Sequence, residues 1–95
     1  MHLVFRPEAQ KELLDAMAWY EERAVGLGFE FARAVDVAVE RIRRTPLTFP
    51  ALEDGFRHAM TRKFPYSVIY SATESEIVVV TCFHHRRRPD SWSKN

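Results

Sequence analysis

Five β-branched residues stand in succession near the end of the chain, Ile77-Val78-Val79-Val80-Thr81, and they constrain the fold more than any other segment. Such side chains are stiff at χ1 and favour strands. The run is apolar without alternation, which predicts a strand over residues 77–83 covered on both faces, or nearly so. Such a strand lies in the interior of a sheet.

Two segments with helical spacing stand ready to cover it. Ala9, Leu13, Met17, Tyr20 and Ala24 recur at that spacing, with Leu14 and Ala18 widening the stripe. A helix over residues 7–24 follows. Pro7 suits its first position, where an N–H is not needed. Glu8 and Glu12 lie on the favourable side of its dipole. Gly26-Leu27-Gly28 breaks the pattern, as glycine after the last periodic residue usually does. Phe31, Val35, Ala38 and Ile42 then set a second helix, with Arg41, Arg43 and Arg44 in its last turns and Pro46 beyond it. Two helices joined so briefly form a hairpin.

The rest of the chain supplies strands. Residues 2–5 are apolar and β-prone. Residues 45–55 hold Pro46, Pro50, Asp54 and Gly55 and read as a loop. A strand over 56–64 is separated by Pro65 from one over 66–71, and a polar turn at 73–76 leads into the apolar run. The order is β-α-α-β-β-β: an α+β fold with a helical hairpin packed on a small antiparallel sheet. At 95 residues it is one domain, spanning 1–95.

Charge and cysteine content narrow the function classes. The formal net charge is +1, which does not suit a protein held to nucleic acid by bulk electrostatics. The charges are nevertheless unevenly placed. Acids crowd the helices, while Arg86, Arg87 and Arg88 follow His84 and His85 at the end. Cys82 is the only cysteine and sits in the apolar run, where it reads as a small buried hydrophobe. The lack of a disulfide framework fits a reducing cytoplasm. No secretory signal is visible at the N-terminus, and the longest apolar run is too short to cross a bilayer. The four histidines show no metal-ligand spacing, and no glycine-rich phosphate loop appears, so neither metal nor cofactor is expected.

Four local patterns carry a resemblance. They are Trp19-Tyr20-Glu21-Glu22 followed by Gly26-Leu27-Gly28, and Ile42 with Pro46 and Phe49-Pro50. To these are added Arg62-Lys63-Phe64-Pro65-Tyr66-Ser67-Val68-Ile69-Tyr70 and His84-His85-Arg86-Arg87-Arg88-Pro89-Asp90-Ser91-Trp92. In that order they resemble the RelE/ParE toxin superfamily, and its ParE-like branch most. The resemblance implies the toxin half of a type II toxin–antitoxin, or plasmid stabilisation, system. It further implies a cognate antitoxin that wraps the toxin in a hetero-oligomer, and inhibition of DNA gyrase through a surface. Arg86, Arg87, Arg88 and Trp92 are the candidate surface, since arginine and tryptophan are favoured interface anchors.

Two other readings stay open. A RelE-like ribonuclease acting on mRNA at the ribosome needs a base, an acid and cations around a phosphorane, without a metal. Arg62, Arg86 and Arg87 are candidate cations, and His84 and His85 candidate acid or base. The tail after His85 holds no tyrosine, a departure from that branch. Alternatively, Arg62 pairs with a helix carboxylate such as Asp36 or Glu40, His84 is structural, and the chain is a non-toxic module that binds an antitoxin.

Overall fold

The computed structural model describes residues 2–85. Its elements are β1 (His2–Phe5), α1 (Pro7–Arg23), α2 (Leu27–Arg44), a short 3-10 turn (Glu53–Gly55), β2 (Arg57–Met60), β3 (Tyr66–Ala72) and β4 (Glu76–His84). The β-α-α-β-β-β order expected from the sequence is therefore present. Among the described residues no helix is long and apolar enough to cross a membrane.

The helix junction follows from local chemistry. Gly26 takes φ +86, a left-handed conformation that glycine adopts without a Cβ penalty. Glu21 then fastens the turn: one carboxylate oxygen accepts the Gly26 N–H and the other the Gly28 N–H, each at 2.9 Å. Both are amides that the start of a helix leaves without an intrahelical partner. A Cβ on Gly28 would stand 2.6 Å from the Met17 carbonyl oxygen, so the close approach of α1 and α2 requires glycine there.

The sheet runs β1-β4-β3-β2, and β4 is interior, as its unbroken apolar run requires. The β2–β3 and β3–β4 pairs are antiparallel. β1 differs from the antiparallel expectation: it lies parallel to β4, with Leu3 opposite Ile77 and Phe5 opposite Val79. The helical hairpin between them is part of a connection long enough for a parallel pair. β2 is also shorter than residues 56–64. Thr61 turns the chain by donating its hydroxyl to the Phe64 carbonyl at 2.7 Å, and Lys63 takes φ +71.

Two apolar clusters join the layers. One packs Ala38 and Ile42 of α2 and Ala9 of α1 against Val68, Tyr70, Ile77, Val79 and Cys82. The other is aromatic and holds the far end of the sheet: Tyr20, Phe31, Phe64 and Tyr66, with Ala16 and Val35. It anchors both the turn at 61–65 and the strand that faces the last residues of β4.

Candidate functional site

β1 stops at Phe5, but β4 runs on to His84. Its final residues therefore have no neighbouring strand on that side, and α1 covers the gap. Glu12 reaches across, its Oε1 accepting the Thr81 hydroxyl at 2.7 Å and the Cys82 N–H at 3.1 Å. Beside this contact opens a cleft of about 460 Å³ whose walls include Asp15, Trp19, Tyr20, Tyr66 and His84.

Glu12, Asp15, Ala16 and Trp19 fall at i, i+3, i+4 and i+7 on α1, which places them on one helical face. That spacing was a usable sequence signal. In the sequence Glu12 reads as a dipole partner and Trp19 as part of a family motif. In the fold Trp19 forms a half-exposed wall of the cleft. Its ring carries the Arg23 guanidinium at 3.5 Å and meets Tyr20 edge-on at 5.1 Å.

His84 sits opposite Tyr66 across the β3–β4 pair, with ring centroids 5.4 Å apart and planes nearly perpendicular. His85 goes the other way. Its Nε2 lies 2.9 Å from the Ser67 hydroxyl and its N–H donates to the Pro65 carbonyl at 2.8 Å. Tyr66 packs toward the helices, so the next residue, Ser67, faces the opposite side of the sheet. The two candidate imidazoles thus serve different faces.

Arg62 is elsewhere again. It is exposed on the turn after β2 and lines a groove against α2. No ion pair among the described residues involves it: Glu40, one suggested partner, binds Arg43 and Arg44. Arg62 and His84 line separate clefts. Arg87, and with it Arg86, Arg88 and Trp92, lie outside the described residues. No group of three His, Cys, Asp or Glu suited to a metal ion occurs among the described residues.

Cys82 is buried, and its thiol is pushed up to about 12, first by burial and then by the Glu12 charge. Its neutral form is what the fold accommodates. The raised value means stability is intact below the ordinary thiol value of 9.0 and falls as pH rises through about 12. From pH 9 to about pH 10.5 the protein is expected to lose about 2 kcal/mol that the Cys82→Ala variant keeps. Urea unfolding of both proteins at the two pH values checks this. Equal slopes with pH would mean that the thiol ionises as readily folded as unfolded.

The family model described as the ParE toxin of the type II toxin–antitoxin system parDE matches residues 3–89. Among solved structures, the chromosomal ParDE toxin–antitoxin system from P. aeruginosa is similar, with a TM-score of 0.62 at 20% identity. The match covers 88% of this chain and 95% of that one. No curated protein sequence matches the chain.

Proposed function

The chain belongs to the ParE toxin family of type II toxin–antitoxin systems, and from that premise we propose that it inhibits DNA gyrase and is silenced by a cognate antitoxin. The observation that carries this reading over a ribonuclease is the separation of Arg62 from His84. Metal-free cleavage of RNA needs a cation on the phosphorane and a proton carrier within hydrogen-bond reach of the same phosphate. Here the two groups line different clefts. A binding toxin needs no such convergence, only a surface with anchors. The residues 86–92 and the half-exposed Trp19 supply side chains of the kinds favoured at interfaces.

The antitoxin follows from the same family. Its partnering segment lies as an added strand or as a helix in a groove. Leu14, Val25 and Phe29 leave apolar surface for it to cover.

Inducing the chain in a bacterium without its antitoxin is expected to stop DNA synthesis before protein synthesis, as pulse-labelling of both would record. The purified protein is expected to block gyrase supercoiling. Protein synthesis stopping first, with cut mRNA, would replace this reading by the ribonuclease. If neither stops and gyrase is untouched, the chain is a non-toxic member of its family.

A further inference from the structure

A second surface is independent of the β4 end. Between α2 and the turn after β2 lies a groove of about 400 Å³, into which Arg33, Arg41, Arg62 and Lys63 converge against one carboxylate, Glu30. This local excess of three positive charges occurs in a chain whose whole net charge is +1. The ion pairs among the described residues use Lys11, Arg23, Arg43 and Arg44, and none of the four groove cations. Among the described residues, the Arg41 guanidinium is held by stacking over Phe49, at 5.2 Å.

The floor between the cations is aliphatic. Val37 and Met60 are each 51% exposed, and both line the groove. Arg33, Val37 and Arg41 sit at i, i+4 and i+8 on α2, so they repeat about every 6 Å along one face. An extended chain presents alternate side chains at about 6.6–6.8 Å. The two spacings match over three positions.

β2 borders the sheet, and its outer side is covered near its start, where the His58 N–H donates to the Pro50 carbonyl at 3.3 Å and Ala51 bridges to Arg57. By strand alternation the Met60 peptide faces the same outer side, beyond the end of that cover. The turn that carries Arg62 and Lys63 is fixed by the Thr61 hydroxyl and by the left-handed Lys63, so these cations are presented by a defined backbone.

We propose that this groove docks an extended acidic segment of a partner protein with the pattern acid-x-apolar-x-acid. Its carboxylates meet Arg33 and Arg41, with Arg62 and Lys63 on the opposite wall, and its apolar side chain rests between Val37 and Met60. Nucleic acid fits less well. Phosphates gain nothing from an aliphatic floor, and the single aromatic of the lining, Phe64, is buried, which leaves no face for a base to stack on. The inference does not depend on gyrase being the target and stands whichever molecule is poisoned.

The test uses the full chain labelled with nitrogen-15 and a blocked peptide, Ser-Glu-Thr-Leu-Thr-Glu-Ser. Titration is expected to shift the amides of Val37 and Met60 with a sub-millimolar Kd that weakens several-fold between low and high salt. In the double variant Arg33→Glu, Arg41→Glu the affinity is expected to fall by about tenfold or more, and a peptide with lysine for glutamate to bind instead. Val37→Asn is expected to weaken the leucine peptide but not one with serine in its place. Circular dichroism verifies that these exposed-site variants stay folded. The proposal is overturned if the Val37 and Met60 amides do not move, or if a peptide of the same composition with adjacent glutamates binds equally well. It is also overturned if a single-stranded oligonucleotide displaces the peptide at equal concentration.

Discussion

Phe31→Ala is expected to remove about 3–5 kcal/mol of stability, a large share of the about 5–15 kcal/mol typical of a small domain. The ring is fully buried. It lies 5.0 Å from Tyr20, 4.8 Å from Tyr66 and 5.3 Å from Phe64, centroid to centroid. It therefore ties α2 to α1, to β3 and to the turn at 61–65 at once. Truncation leaves a cavity that three rings from three elements cannot close together, and it forfeits one tilted contact with Tyr20 and edge-on contacts with Tyr66 and Phe64, about 0.5–1.5 kcal/mol apiece. Phe29 is the internal control: two residues earlier on the same helix, it is 75% exposed. Phe29→Ala should stay within about 0.5 kcal/mol of the parent. Urea unfolding followed by circular dichroism measures both. A loss under about 1 kcal/mol for Phe31→Ala would mean that the aromatic cluster does not hold the helices to the sheet. The clefts at either side of it would then lack their common wall.

What the sequence revealed follows the range of the interaction involved. The two helices and the glycine break between them are written in near-neighbour spacing, so residues 7–24 predicted α1 to within a residue, and the second periodic run, from Phe31 to Ile42, falls inside α2. The buried position of β4 was equally legible, because five β-branched residues in a row leave few other places for the strand. Strand direction was not. Nothing in His2-Leu3-Val4-Phe5 records that its partner lies more than seventy residues away and runs parallel. The end of β2 escaped for a similar reason, since Thr61 and Lys63 act through a hydroxyl contact and a backbone conformation that composition does not display.

The site was legible as a set of chemical types and illegible as a set of places. His84 and His85 are neighbours in sequence, yet strand alternation sends one toward α1 and the other to Ser67. Arg62 was matched with helix carboxylates, but Glu40 already has Arg43 and Arg44 within a turn or so on its own helix. Nearby partners win such contests because they need less ordering of long side chains. The groove of Arg33, Arg41, Arg62 and Lys63 depends on a helix face meeting a distant turn, and a near-neutral total charge hides it.

Glu12→Ala is expected to cost about 3 kcal/mol, and Glu12→Gln clearly less. One oxygen of Glu12 accepts both the Thr81 hydroxyl and the Cys82 N–H, and both of those residues are buried. Alanine leaves two donors without their acceptor at the stretch of β4 that β1 does not reach. Buried donors left unpaired cost about 1–3 kcal/mol each, less whatever water recovers. Glutamine presents a carbonyl oxygen where the carboxylate oxygen was, so it can keep both bonds and lose only the charge. The order parent, Gln, Ala therefore separates hydrogen bonding from electrostatics. Equal losses for Gln and Ala would assign the effect to charge. A loss under about 1 kcal/mol for Ala would show water serving Cys82 as well as the carboxylate does. Hydrogen exchange gives a local reading of the same question. The Cys82 amide should exchange much faster in Glu12→Ala, while Val68, its opposite number on β3, changes only as far as overall stability falls. An effect confined to Cys82 would mean that α1 holds the end of β4 through this one side chain, in the place where a continuing β1 would have paired with it.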